Sequence, residues 1–510
     1  MARVLLALAA SLVALAWPAS CQRLPVVAPV TKDPATSLYT LPFHDGANLV
    51  VDIAGPLVWS TCQRGHLPAE LPCKSPTCRL ANSYHDWHDD DKACTAYPYN
   101  PVTGACAAGS LVHARFVANT TDGRNPVSQV NVRALAACAP RKLLASLPGG
   151  STGVAGLAGS GLALPAQLAS TQNVAKKFLL CLPRGGTDGD GVAIFGGGPL
   201  HFWADPWTDY TQSMDYTPLL SKQGQGSPAH YISVKSISME NSRVPVSERV
   251  LATGGVMLST RQPYALLRRD VYRPFVDAFV KALAAQAAPG GSVARAARPV
   301  APFELCYDAQ TLGNTRFGYW VPSVTLALDG GRDWRMTGVN SMVDVEPGTA
   351  CLAFVEMKGV RAGDGGAPAV IVGGVQMENI VITIRHGEEA ARVALDAVLY
   401  AVQPLQFHSK RLDLNFIIAS ADRDGDDGLA KTQPVEAMLK VDERLEVFSS
   451  SLVSLFFERS IEAAVTWHMY LRQLIFLRDK TNFIHQKQQL VGYKSGHGVV
   501  LTKHGAPGPY

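Results

Sequence analysis

The sequence is short of charge. Asp, Glu, Lys and Arg make up 17% of its 510 residues, and no stretch concentrates Lys and Arg among aromatics. A nucleic-acid partner is therefore not expected. Long apolar runs are also scarce. The clearest follows M-A-R at the N-terminus and ends in small residues near Ser20 or Cys21. It is short for a membrane span and reads as a secretory signal peptide over residues 1–21. In the C-terminal region Glu458 and Arg459 interrupt the other apolar stretch, so no membrane association is expected. Metal-ligand patterns are thin. C-x4-C at Cys73 and Cys78 has no second close pair to complete a zinc site, and Y-H-D-W-H-D-D-D-K (84–92) reads as an acidic, solvated loop. In D-R-D-G-D-D-G (422–428), Asp427 stands where a calcium loop needs Gly and Gln433 where it needs Glu. F-G-G-G (195–198) follows a strand but opens no basic helix, which argues against a nucleotide site. No metal and no cofactor are expected.

The most telling absence is half of a pair. Residues 49–55 read L-V-V-D-I-A-G, an apolar strand running into Asp52, and residues 254–261 read G-G-V-M-L-S-T-R, a similar strand running into Ser259. Two facing carboxylates sharing a proton activate water, because like charges push one pKa up and leave the other group ionised. A carboxylate facing a hydroxyl has no such split.

What is present points to β structure. From about residue 24 to 384, short alternating runs such as 111–118, 230–239 and 321–331 are separated by turn residues. One clear helix is expected over residues 269–288, with Val276, Phe279, Val280 and Leu283 on its apolar face. Asp52 is followed about a hundred residues later by G-V-A-G-L-A (153–158), and Ser259 at similar distance by A-V-I-V-G-G (369–374). This is the mark of a duplicated β lobe with its two turns meeting at a cleft. Beyond Cys21 there are nine cysteines, six of them between residues 62 and 138. Secretion makes disulfides the expectation for most of Cys62, Cys73, Cys78, Cys94, Cys106, Cys138, Cys306 and Cys351, and the odd number leaves at least one thiol over. The sequon N-T-T at Asn119 is a glycan acceptor expected on a surface loop.

Several stretches together carry a resemblance: L-P-V-V-A-P-V-T-K-D-P-A-T-S-L-Y-T (24–40), A-G-P-L-V-W-S-T-C (54–62), C-T-A-Y-P-Y-N-P-V-T-G-A-C-A-A-G-S-L (94–111), G-V-A-I-F-G-G-G-P (191–199), L-A-T-G-G-V-M-L-S-T-R (251–261) and F-V-E-M-K-G-V (354–360). The chain resembles the pepsin-type aspartic proteases and, more closely, the cereal xylanase inhibitors of the TAXI type. The resemblance implies an all-β, two-lobed pepsin-like fold with a few short helices, its lobes at 22–214 and 215–384. It also implies a secreted, extracellular and monomeric pseudo-protease, whose partner is a microbial endoxylanase of glycoside-hydrolase family eleven. Pepsin-like enzymes follow the aspartate with Thr and Gly, where this chain has Ile53 and Ala54; Arg261 replaces the glycine of the second turn. Asp52 is accordingly expected to be structural, held by a cleft cation or by backbone, and Tyr99 to be a packing residue.

Family inhibitors act through C-terminal loops, with a histidine near the end of the chain as the central probe. Leu312, Arg316 and Phe317, in the loop after C-Y-D (306–308), are the inhibitory-loop candidates here. The tail departs from the family after residue 384, and both the probe histidine and the last cysteine are absent. That leaves Cys181 as the candidate unpaired thiol and the closing strand of the second lobe missing, with an exposed sheet edge. Residues 385–510 read as an unrelated, helical extension, with helices expected over 388–403 and along Val453–Ile475. The rival readings are inhibition of another cell-wall hydrolase, such as a xyloglucan endoglucanase, and residual aspartic peptidase activity.

Overall fold

The computed structural model describes residues 23–44, 47–62, 71–81, 94–185, 190–202, 206–220, 228–240, 242–286, 293–386 and 391–397. The expected N-terminal signal peptide, the 84–92 loop, residues 422–428 and the helix along 453–475 lie outside them.

The repeat seen in the sequence is a repeat in space. Ala47–Asp52 runs parallel to Ser151–Gly156, with Asp52 opposite Gly156. Val256–Leu258 runs parallel to Val370–Val372. Each pair brings an apolar strand and its following turn beside a Gly-containing strand. The first turn is tight enough to exclude a side chain at Gly55, where a Cβ would come within 2.9 Å of Asp52 Oδ2 and of Gly156 Cα. Beside these pairs, Gly109–Thr121 and Pro126–Cys138 form a long antiparallel hairpin. Its turn is closed by Asp122 Oδ1, which accepts from the backbone N–H groups of Arg124 and Asn125 at 2.8 Å.

A six-stranded antiparallel arrangement joins the two halves. Val26–Lys32 pairs with Gly191–Phe195, which pairs with Lys177–Cys181. Lys177–Cys181 pairs with Ile380–His386 from the second half. Ile380–His386 pairs with Ala391–Ala397, and that strand with Thr217–Leu220. The largest apolar cluster draws on both halves, including Val26, Leu41, Ile53, Phe116 and Phe178 with Leu258, Phe275, Leu326, Ile382 and Val393. These features make the fold all-β and two-lobed.

Two expectations about the C-terminal region are corrected. Residues 391–397 are a strand, not part of a helix over 388–403. This strand fills the place beside Ile380–His386, so that edge is covered and the sheet continues past the expected boundary at 384. The Ala- and Leu-rich composition favours helix intrinsically. Burial on both faces decides otherwise: Val393 is fully buried and Leu395 packs against the main cluster, while Ala394, on the opposite face, is buried in a second apolar cluster with Leu179 and Met214. A sheet edge offering seven residue pairs outweighs local propensity.

The helix of the second half spans Arg269–Ala285 and buries Val271, Tyr272, Phe275, Val276, Phe279 and Leu283. Val280, expected on that face, is 43% exposed, one residue past the apolar stripe. Disulfides join Cys62 to Cys138, Cys78 to Cys94, and Cys306 to Cys351, the last pair directly opposite on antiparallel strands. Cys73 and Cys106, expected in disulfides, are free thiols: Cys73 is buried, whereas Cys106 is exposed with its sulfur toward the Tyr97 carbonyl at 3.6 Å. Cys181 is also free. Burial pushes its thiol up to about 12, which makes it a poor nucleophile. Asn119 is exposed but lies on the strand Gly109–Thr121, not on a loop. Among the described residues no helix is long and apolar enough to cross a membrane.

The pairing and burial of this strand give a direct test. Val393→Asp places a carboxylate in the apolar cluster and is expected to cost about 4 kcal/mol, whereas Arg392→Gln at an exposed position should change stability by under about 0.5 kcal/mol. Urea unfolding measures both, and equal effects would mean that this segment is not a sheet strand.

Candidate functional site

Asp52 ends its strand 1% exposed, at the junction of the halves. Its carboxylate is held from three directions. Ala54 N–H donates to Oδ1 at 3.1 Å, the Tyr99 hydroxyl donates to Oδ2 at 2.9 Å, and Arg261 Nε from the second half lies 3.6 Å from Oδ1. The Arg261 guanidinium also sits 5.7 Å from the centre of the Tyr99 ring, a cation–π arrangement. Burial pushes the Asp52 pKa up, and Arg261, Tyr99 and the backbone donors pull it back only in part. Burial also opposes the charge on Arg261, and Asp52, Tyr99 and Tyr231 outweigh it. Tyr99 is positioned by its neighbours: Trp59 Nε1 donates to its carbonyl at 3.0 Å, and the next residue, buried Asn100, donates to the carbonyls of Leu143 and Ala145. Tyr99 is therefore a polar partner of Asp52, which corrects its reading as a packing residue.

Ser259 is equally buried. Its N–H donates to the Val372 carbonyl at 3.0 Å, and its hydroxyl accepts from Arg261 N–H at 3.3 Å. Among the described residues, no hydrogen bond joins it to Asp52. A second contact between the two turns, beside that of Arg261, comes from Thr260, which sequence reasoning passed over. Its hydroxyl accepts from Ile53 N–H at 3.1 Å and donates to the Val51 carbonyl at 2.6 Å. The matching position in the first turn is Ile53, fully buried in the apolar cluster and unable to return the bonds. The Thr next to Ser259 in the repeated strand-turn was the signal available for it.

Three further side-chain hydrogen bonds cross between the halves. His230 Nε2 donates to the Leu157 carbonyl at 3.0 Å. Glu378 accepts from Lys32 Nζ at 2.7 Å and from the Tyr39 hydroxyl at 2.5 Å. Gly374 lets Tyr39 approach, since a Cβ there would meet its hydroxyl at 2.6 Å.

The inhibitory-loop candidates separate. Leu312 is 1% exposed and part of the core. It follows the turn Ala309–Thr311 and packs inward, so it is not a contact residue. Arg316 and Phe317 form the tip of a small hairpin, Asn314–Thr315 with Gly318–Tyr319. Arg316 is exposed, its guanidinium 4.8 Å from the centre of the Phe317 ring. The hairpin is docked through Val339 N–H, which donates to the Phe317 carbonyl at 2.9 Å. Among the described residues, no group of three metal-ligating side chains comes together.

Comparison with known proteins agrees with this architecture. Residues 40–197 match the family model described as xylanase inhibitor N-terminal, and residues 229–387 match xylanase inhibitor C-terminal. The chain belongs to the xylanase-inhibitor family. It is 44% identical over 393 residues to "Chitinase CLP" of Oryza sativa subsp. japonica, covering 74% of this chain and 89% of that one. It is 32% identical over 378 residues to "Gamma conglutin 1" of Prunus dulcis, covering 69% and 82%. Among solved structures it is similar to "Crystal structure of edgp", with TM-score 0.66 and 29% identity over 76% of this chain and 99% of that one. Soybean basic 7S globulin matches with TM-score 0.60 and 26% identity over 74% and 96%. The fold is therefore the pepsin-like one, and this xylanase-inhibitor family member carries Asp52 without a facing carboxylate.

Two outcomes are expected. Arg261→Met leaves the Asp52 charge buried without its cation, at a cost of about 3 kcal/mol at neutral pH. In an Asp52→Asn background the same change should cost under about 1 kcal/mol, and a double-mutant cycle by urea unfolding reads the coupling. His230 gives a pH dependence. Burial, with a lesser contribution from nearby His386, lowers its pKa from 6.5 to about 4 despite the Leu157 bond. The unfolded state then binds the extra proton between these values, so this contribution is complete above about pH 6.5 and is lost as pH falls to 4. It amounts to about 3 kcal/mol. His230→Gln retains a donor for Leu157, and its stability should fall less steeply between pH 7 and 4 than that of the parent. Parallel curves would rule His230 out.

Proposed function

We propose that this protein is a secreted, non-catalytic pepsin-like protein of plant defence that binds and inhibits a microbial endo-1,4-β-xylanase of glycoside-hydrolase family eleven. The observation that carries the non-catalytic half is the pairing at the turns: Asp52 faces a half where Ser259 supplies no acid and Arg261 takes up the carboxylate. With one carboxylate, and that one neutralised by a guanidinium, no acid and base of separated pKa exist to activate water. A glycosidase reading, suggested by the name of the rice relative, meets the same difficulty, since glycoside hydrolysis uses two carboxylates flanking the bond.

Membership of the xylanase-inhibitor family supports the partner. A xylanase cleft presents two carboxylates, and a cation inserted between them forms charge-assisted hydrogen bonds in a desolvated groove. Arg316 has the exposure and charge for that role, and its stacking on Phe317 reduces the side-chain freedom lost on binding. Binding proceeds through the second lobe, as a monomer, with Asn119 as a glycan site away from the hairpin in sequence.

In the test, purified protein is mixed with a family-eleven xylanase. Inhibition is expected, weaker than that of a family member that keeps the tail histidine, and Arg316→Glu should weaken it at least about tenfold by reversing the charge. Unchanged inhibition by that variant removes the hairpin from the account. Incubation with a denatured protein at acid pH should give no cleavage. Cleavage abolished by Asp52→Asn would overturn the non-catalytic reading.

A further inference from the structure

Three cations stand in a row across the sheet that joins the halves. Lys177 is directly opposite Arg385, and Arg385 is directly opposite Arg392. Directly opposed residues on neighbouring strands share a face, so the three side chains leave the sheet on the same side at strand spacing, about 4.8 Å apart. Arg385 and Arg392 are exposed and Lys177 is half-buried. None of the three forms an ion pair with a carboxylate among the described residues. Like charges placed directly opposite one another destabilise a sheet, and here the arrangement occurs twice in succession.

The surroundings hold this row in place. One step inward on the same face, Leu179, Thr383 and Ala394 are buried under a cap that includes Met214, whose sulfur accepts from the Thr383 hydroxyl at 3.0 Å. The row is the rim of that cap. Lys177 lies along it with its Nζ 5.6 Å from the centre of the Tyr216 ring, and the Tyr216 hydroxyl is buried with no hydrogen-bond partner among the described residues. Arg392 comes from Ala391–Ala397, the strand beyond the end of the family match at residue 387.

We infer that Lys177, Arg385 and Arg392 form a binding strip for an extended acidic polysaccharide. Its geometry selects the ligand class. The strip is linear, with one cation from each of three neighbouring strands along the rim of the cap, so one small anion would satisfy only part of it. A glycan chain with a repeated carboxylate or sulfate can engage all three cations in register, with Arg385 and Arg392 each able to grip an anionic group through two N–H donors. This strip is separate from the xylanase-binding hairpin and does not depend on it.

The full chain is applied to immobilised polygalacturonate, heparin and neutral dextran and eluted with a salt gradient. Retention on polygalacturonate or heparin but not on dextran is expected, and which of the two holds more strongly tells carboxylate from sulfate recognition. The triple variant Lys177→Gln, Arg385→Gln, Arg392→Gln should bind at least about tenfold more weakly, while Lys281→Gln, an exposed cation on the helix Arg269–Ala285, elutes with the parent. Soluble oligogalacturonate or heparin should raise the melting temperature of the parent and leave that of the triple variant unchanged. If the triple variant does not fold, Arg385→Gln alone should show a several-fold loss. The inference is overturned by absence of parental retention on both acidic columns, by variants that elute with the parent, or by equal weakening in Lys281→Gln.

Discussion

One hydroxyl ties the two turns together. Thr260 reaches from the second half to accept from Ile53 N–H and donate to the Val51 carbonyl, fixing the residues on either side of Asp52. In a symmetric junction the first turn would return the same pair of bonds. Ile53 instead puts an apolar side chain into the core, so the junction is held from one side only. The remaining polar contacts make up the difference: Arg261 with Asp52 and Tyr99, Glu378 with Lys32 and Tyr39, and His230 with the Leu157 carbonyl. Asp52, a group suited to water activation only when paired with a second carboxylate, serves here as one of the fasteners between halves.

This exchange has an energetic logic. A buried carboxylate is costly unless it is paired and hydrogen-bonded, and Asp52 is given a cation, a phenol and a backbone donor. Glu378 shows the same pattern: burial pushes its pKa up, while Lys32 foremost, then Tyr39 and Arg184, pull it back. Retaining Asp52 needs no catalytic explanation, because removing either partner of such a pair leaves the other stranded in a low-dielectric setting.

Much of the architecture was legible in the residues. The two apolar strand-turns, their Gly-containing partners and the helix at 269 follow from period and punctuation, and those features lie where local pattern and tertiary demand agree. Three misreadings have a common cause, which is that neighbours distant in the chain decide the outcome. Residues 391–397 have helix-forming composition but meet an open sheet edge. Leu312 sits in a loop by sequence yet turns into the core. Tyr99, without a second aspartate to suggest a polar role, still finds Asp52 forty-seven positions away. The unequal fates of the cysteines have the same origin: within one crowded region the fold brings Cys62 to Cys138 and Cys78 to Cys94, and leaves Cys73 and Cys106 as free thiols.

The position of the strand Ala391–Ala397 also sets an order of assembly. Thr217, at the start of the second half, has Val393 as its sheet neighbour. A ribosome must therefore add well over a hundred further residues before that neighbour exists, roughly 10–35 s at typical elongation rates. During that interval Thr217 and Pro218 present unpaired backbone on the side the late strand will occupy, which is the period when a nascent chain of this design has most need of chaperone cover.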